Sequence, residues 1–250
     1  VLESAPLAMA AMKTIANLTS GGDSPGMNAA IRAVARSAIA KGMEAVGVMR
    51  GFEGLLDGDF RTLGARDVGG IIHRGGTILQ TARSTRFMEL QWQDRAAGNL
   101  LDAGIQGLAV IGGGGSFQGA RELQKRGVAV AGIPGTIDND IAGTELAIGF
   151  RTAVETALDA VMRLRDTASS HDRLFVVEVM GGRSGFLALD VAVAGGAEAV
   201  IVPEVQFSLG RLIDRLHEAR KKGKTHSLII LAEGVMPAQE LRDRIQDTAG

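Results

Sequence analysis

Short runs of branched and apolar residues recur along this chain at positions 15–18, 45–49, 108–111, 128–133, 174–180, 199–202 and 228–232, with segments of helical period between them. Runs this short and this uniformly apolar are the pattern of parallel strands buried on both faces. Strands that alternate with helices in turn imply an α/β architecture, with helices covering each side of the sheet. The clearest helix is 27–41: Met27, Ala30, Ile31, Val34, Ala35, Ala38 and Ile39 share one face, and Gly42 follows as a stop signal. Segments 154–164 and 212–219 repeat the pattern. The compositional outlier is glycine, 35 residues that gather after the apolar runs, where a backbone can approach a ligand closely.

At 250 residues the chain can bury a good core in one large or two modest domains, and 46% hydrophobic with 22% charged residues is an ordinary globular composition. A net charge of -1 argues against a general nucleic-acid or anionic-membrane surface, so any anion site has to be local. The absence of cysteine excludes disulfides and thiolate metal sites and fits a reducing cytoplasm. No apolar run approaches the length of a membrane span. Residues 1–12 lack a basic region and carry Glu3, so they read as a disordered tail. His73, His171, His217 and His226 show no metal-ligand spacing.

The chemistry concentrates in Pro134-Gly135-Thr136-Ile137-Asp138-Asn139-Asp140, just past the apolar run 128–133. Proline offers no N–H to a ladder, so Pro134 is expected to end that strand. Side chains at the carboxyl end of a strand in an open α/β sheet face the crevice where ligands bind. Asp138 and Asp140 stand two apart and share a face in extended backbone. Two such acids can divide labour, one accepting a proton, the other holding charge or a metal. Taken alone, helix capping is the better explanation of Thr136, Asp138 and Asn139, since all three residue types cap and a helix follows. Ser20-Gly21-Gly22 leads from the run 15–18 toward the helix at Met27, and a glycine turn before a helix offers N–H groups and a positive dipole end to an anion. A tight strand–helix turn has the same composition. The fingerprints G-x-x-x-x-G-K-[ST] and G-x-G-x-x-G are both absent, the latter also from 112–119.

In order, the chain carries Thr19-Ser-Gly-Gly-Asp-Ser-Pro-Gly-Met-Asn28, Arg74-Gly-Gly-Thr77, Thr81-Ala-Arg83, Ile111-Gly-Gly-Gly-Gly-Ser116, the Thr136–Asp140 segment, Ser169-Ser-His-Asp-Arg173 and Val177-Glu-Val-Met-Gly181. That ordered set closely resembles the phosphofructokinase family, kinases that phosphorylate fructose 6-phosphate, from about Lys13 to the C-terminus. The resemblance implies two Rossmann-like three-layer α/β/α lobes with mainly parallel sheets and a cleft between them. Residues 13–149 would form the nucleotide-binding lobe, lacking its C-terminal elements, and 150–250 the sugar-phosphate-binding lobe.

The resemblance also implies roles. Gly21, Gly22, Arg83, Ser84, Gly113, Gly114, Gly115 and Ser116 would hold ATP, with Arg83 bridging ATP and the transferred phosphate. Thr136, Asp138 and Asp140 would form the catalytic loop, Asp138 taking the proton of the sugar 1-hydroxyl with Asp140 in support. Arg173, reaching in from a neighbouring subunit, together with Met180, Gly181, Gly182, Arg183 and Glu233, would bind fructose 6-phosphate. Arg32, Arg36, Arg165, Glu198, Lys222, Lys224 and His226 would bind a regulatory nucleotide. The implied protein is an ATP-dependent, magnesium-requiring glycolytic enzyme, cytoplasmic, a homotetramer or dimer, without nucleic-acid or membrane partners.

Three departures from the family pattern stand against this. Position 114 is glycine where the family carries an aspartate that serves the magnesium of MgATP, leaving Asp138 or Asp140 to reach the ion. Gly182 stands where the family has arginine, with Arg183 one place on; in extended backbone that slip reverses the side-chain face. The chain also stops at Gly250, where relatives continue into a Gly-His-Ile-Gln-Arg-Gly-Gly segment, and so reads as a fragment or a truncated product. These departures keep open a non-catalytic regulatory subunit. Glycines at 115 and 135 disfavour a diphosphate donor, and the Thr136–Asp140 and Arg74–Thr77 motifs disfavour an NAD or lipid kinase.

Overall fold

In the computed structural model, which describes residues 12–171, 173–224 and 226–249, each apolar run is a strand. The tail expected at 1–12 lies, except for Met12, outside the described residues. Strands β1 (Thr14–Thr19), β2 (Glu44–Val48), β3 (Phe60–Thr62), β4 (Gly107–Gly112), β5 (Ala129–Thr136) and β6 (Ile148–Gly149) precede β7 (Leu174–Val179), β8 (Ala199–Ile201) and β9 (Ser227–Ala232). The helices are α1 (Met27–Ala40), α2 (Gly51–Asp57), α3 (Leu90–Asp102), α4 (Gly114–Gln124), α5 (Phe150–His171), α6 (Phe186–Gly195), α7 (Leu209–Lys221) and α8 (Ala238–Ala249). Two compact units result. The first runs to Thr136 and takes in Ile141–Gly149; the second holds Ile137–Asp140 and everything described from Phe150 on. The sequence boundary after residue 149 leaves out this exchange of residues 137–140.

The first unit is built on a sheet of order β3-β2-β1-β4-β5-β6, parallel except for the β2–β3 pair. Ala16 and Leu18 of β1 and Leu108 and Val110 of β4 pack with α2, α3 and α4 on one face, and α1 packs on the other through Met27, Ala30, Ile31, Ala35 and Ala38. The helix ends as its pattern predicts, with Gly42 at a φ of 74° just past the cap residue Lys41. The chain leaves β1 outward to β2 and β3 and returns to β4, so the sheet's switch point lies between β1 and β4, and the loops leaving their carboxyl ends border it.

β5 runs through Pro134 instead of ending there, with Pro134 opposite Gly112. β6 joins the outer side of β5 only from Gly135, so Pro134 lies where that side is still an edge, and an edge tolerates a missing N–H.

Asn17 breaks the apolar pattern of β1. It is completely buried, its Nδ2 reaches the Val46 carbonyl at 3.4 Å, and its Oδ1 has no hydrogen-bond partner among the described residues. An unsatisfied buried acceptor costs about 1–3 kcal/mol. Asn17→Val is therefore expected to raise stability by about 1 kcal/mol, read as a higher denaturant midpoint at unchanged slope.

In the second unit the three strands run parallel in the order β7-β9-β8. Leu228, Ile230 and Ala232 of β9 face α5 and α6, whereas Ile229 and Leu231 face α7 and α8. The central strand is thus apolar on both sides, as its continuous run requires.

Candidate functional site

In the first unit the expected phosphate-binding pieces converge at the switch point. Past β1, Gly21 adopts a φ of 88°. A side chain there would meet the Ser116 hydroxyl at 3.6 Å, whereas at Gly22 it would enter open space. The Ser20 N–H donates to the Ile111 carbonyl (3.1 Å), and the Ser116 hydroxyl donates to the Ser20 carbonyl (3.1 Å). The two glycine turns are thereby stitched together. A Cβ on Gly112 would sit 2.5 Å from Ser116 Oγ and 2.6 Å from the Ser20 carbonyl oxygen, so only glycine fits at that seam.

Gly113–Ser116, expected at ATP, opens α4, with Gly113 as its cap. The N-terminal N–H groups and the positive dipole end of this helix lie at the exposed Gly114 and Gly115. Thr136, at the end of β5, lies beside Gly113, about van der Waals distance from a built Cβ there (3.7 Å). The glycine turn after β1 does not itself begin α1. Gly26 caps that helix at a φ of 90°, four residues beyond Gly22.

Arg83 is exposed in the segment that passes the end of β1. That segment is anchored by residues that sequence reading used only as signatures. Asn28, buried in α1, donates to the Arg74 (2.9 Å) and Gly75 (3.3 Å) carbonyls and accepts from the Ile78 N–H (2.8 Å). Thr19 bonds Thr77 (3.0 Å) and donates to the Gln80 carbonyl (3.0 Å). Ser84, expected at ATP, accepts the Phe87 N–H (3.1 Å) and closes a single 3₁₀ turn, Arg86–Met88. The Arg86 guanidinium and the Ser84 hydroxyl hold the Glu53 carboxyl below the usual carboxylate range. Arg86 also lies over the Trp92 ring, 5.2 Å from its centre.

In the second unit, acids gather past the carboxyl ends of β7 and β9. Burial, followed by the nearby charges of Asp140 and Glu233, pushes the Asp138 carboxyl above its ordinary value. Asp138 Oδ2 lies 3.0 Å from where a Cβ on Gly182 would stand. Glu233 accepts the N–H groups of Gly181 (3.0 Å) and Gly182 (2.8 Å) through one oxygen. Ser184, which the sequence reading missed, donates to the Asp138 carbonyl at 2.7 Å.

Two geometric premises are corrected here. Asn139 has a φ of 52°, so Asp138 and Asp140 do not share a face of extended backbone. Gly182 has a φ of 60° within a turn, so the argument that Arg183 points the opposite way to position 182 in an extended segment does not apply. Met180 and Arg183 are exposed in this turn region. Arg173 is exposed just before β7, at the far end of that strand from Gly181; six residues of strand span about 20 Å. One copy of the chain therefore does not bring Arg173 to Asp138.

Of the expected effector residues, Arg32 donates to the Val68 carbonyl. Arg36 and Lys222 are exposed. Arg165 donates to the Gly195 carbonyl at 2.7 Å. Burial alone would push the Glu198 carboxyl up, but the Leu228 N–H (2.6 Å) and Lys224 (2.5 Å) outweigh it and hold the group below its ordinary value. His226 has a buried Nδ1 without a hydrogen-bond partner among the described residues.

Glycine-bordered N–H groups at the switch point of one unit, and an acid cluster at the strand ends of the other, define an α/β protein equipped to handle phosphoryl groups. Within that class, the chain belongs to the phosphofructokinase family, which it matches over residues 14–250. It is 53% identical over 239 residues to the ATP-dependent 6-phosphofructokinase of Natranaerobius thermophilus, covering 96% of this chain and 75% of that one. It is 52% identical over 235 residues to the enzyme of that name from Streptococcus suis, covering 94% of this chain and 70% of the relative. The solved phosphofructokinase of Saccharomyces cerevisiae superposes with a TM-score of 0.88 at 37% identity. That match covers 94% of this chain but only 36% of the yeast chain, so this chain spans about a third of it.

Proposed function

We propose that this protein transfers the γ-phosphoryl group of ATP to the 1-hydroxyl of fructose 6-phosphate, giving fructose 1,6-bisphosphate and ADP in glycolysis. The observation that carries this reading is the 53% identity, across nearly the whole chain, to a protein named for that activity. The sugar oxygen forms a bond to the γ-phosphorus, the bond from phosphorus to the β–γ bridging oxygen breaks, and the hydroxyl proton passes to Asp138. Phosphoryl transfer asks a protein mainly for positioning and charge neutralisation. A carboxylate pushed up by burial and by Asp140 and Glu233 is a stronger base than a free one. The N–H groups opening α4, the turn at Gly21 and Gly22, and the Arg83 guanidinium supply the neutralisation.

ATP enters as its magnesium complex. The mutual repulsion around Asp138 and Asp140 is the setting a hard cation relieves, and carboxylate oxygens are its preferred protein ligands. Asp138 or Asp140 would hold the ion, which supplies charge compensation for the phosphoryl oxygens. Thr136, beside the capped start of α4, contributes a hydroxyl toward the phosphates.

Arg173 serves the site of a second copy, because its place before β7 keeps it from its own. An oligomer of this chain also accounts for α6, where Phe186, Leu189 and Val193 form an exposed apolar stripe and Val193 is 75% exposed. Among the described residues no helix is long and apolar enough to cross a membrane. We assign the protein to the cytoplasm on its similarity to the ATP-dependent 6-phosphofructokinases.

The test is direct. The complete protein with ATP, magnesium and fructose 6-phosphate is expected to produce a bisphosphate and ADP, followed by phosphorus NMR. Failure to consume ATP in the presence of the sugar phosphate would leave the non-catalytic subunit as the better account.

A further inference from the structure

We propose that Ser184 is a positioning residue for Asp138, acting through the main chain; the inference rests on the reading of Asp138 as the base. The carbonyl that accepts the Ser184 hydroxyl at 2.7 Å belongs to the peptide plane joining Asp138 to Asn139. Rotation of that plane changes the ψ of Asp138 and the φ of Asn139 together. Asn139 is held at a φ of 52°, a left-handed conformation that asparagine tolerates but does not require, so a flipped plane is an accessible alternative. The Ser184 hydrogen bond opposes the flip and so fixes the setting of the backbone from which the carboxylate projects.

Ser184 is suited to this because it is itself rigid. It is only 5% exposed, its N–H donates to the Gly181 carbonyl (2.9 Å), and its Oγ accepts the Phe186 N–H at the start of α6 (3.4 Å). The next residue is clamped as well. Gly185 donates its N–H to Glu204 (2.8 Å), and a Cβ there would stand 2.5 Å from Glu204 and Val202. The hydroxyl thus transmits the fixed start of a helix to a loop that carries no regular structure.

The test compares Ser184→Ala with Ser184→Cys in the complete protein. Cysteine fills the space of serine but is a weak donor, which separates a hydrogen bond from packing. Both variants are expected to lower kcat by about 10-fold or more while KM for ATP stays within about twofold, since misplacement of a reacting group by about 1 Å can cost 10²-fold. In parallel, the Asn139 backbone amide is followed by NMR in asparagine-labelled protein and identified by its loss in Asn139→Gly. Its resonance is expected to shift in both Ser184 variants, because the peptide plane that carries it is no longer held. Unchanged kcat in Ser184→Ala, or full rescue by Ser184→Cys, would overturn the proposal. Should the wild type fail to turn over ATP and fructose 6-phosphate, the functional reading falls on its own. The amide resonance still decides here, because an Asn139 signal identical in wild type and Ser184→Cys overturns the positioning role.

Discussion

Asp138→Asn is expected to lower kcat by about 10²-fold or more, with KM for both substrates changed far less. Asparagine keeps the shape of the side chain and its place against the Gly182 turn, but it cannot take the sugar proton. The acid limb of the wild-type rate profile is expected above the ordinary carboxylate range, because the base is lost when a group with a raised pKa is protonated. The same substitution is expected to raise Tm at neutral pH. Burial, Asp140 and Glu233 push the folded-state pKa above the unfolded value, so the native chain binds more protons between the two. Stability therefore falls as pH rises through that window and stays lower above it. A neutral side chain escapes the loss, and below the window the two proteins should differ little. Calorimetry at neutral and at acid pH, alongside steady-state rates, reads both effects. An undiminished kcat would remove Asp138 from the role of base.

The second large effect is expected at Gly114. This residue opens α4 with no unusual φ, and a Cβ there meets nothing within 4 Å, so aspartate fits without strain. An acid in the first turn also complements the helix dipole by about 0.3–1 kcal/mol, so Gly114→Asp should fold at least as well as the wild type. Added to a weakened but working site, the carboxylate is expected to lower the magnesium concentration for half-maximal rate by about 10-fold or more and to raise turnover at limiting magnesium. Saturating magnesium should bring the two proteins together. Identical magnesium curves would place position 114 outside the reach of the ion. A wild type and variant that are both inert would leave the regulatory-subunit reading standing.

Seven strands were legible as short, branched, apolar runs, and α1 was legible because its apolar positions follow the helical period; β3 (FRT) and the two-residue β6 carry no such run and went unread. The α6 sequence FLALDVAVAG is apolar around its whole circumference, which erases the period that would reveal a helix. The opening of α4 was hidden by its glycines, which are poor helix formers. The motif order pointed to the right residues, but their geometry was only partly predictable. Asn139 tolerates a left-handed backbone that few other residues would, and that single residue undoes the alternation assumed for Asp138 and Asp140. The tie from Ser184 to Asp138 crosses 46 positions, a separation at which no local pattern speaks.

The exchange of residues 137–140 into the second unit has a consequence for synthesis. A ribosome releases β1 through β6 early, and the first unit then holds all of its own strands. The aspartates emerge with them, yet Ser184 follows some 46 positions on, and Glu233 only after β9. The first unit can therefore close its sheet on the ribosome while Asp138 still lacks two of the groups that act on it in the folded protein.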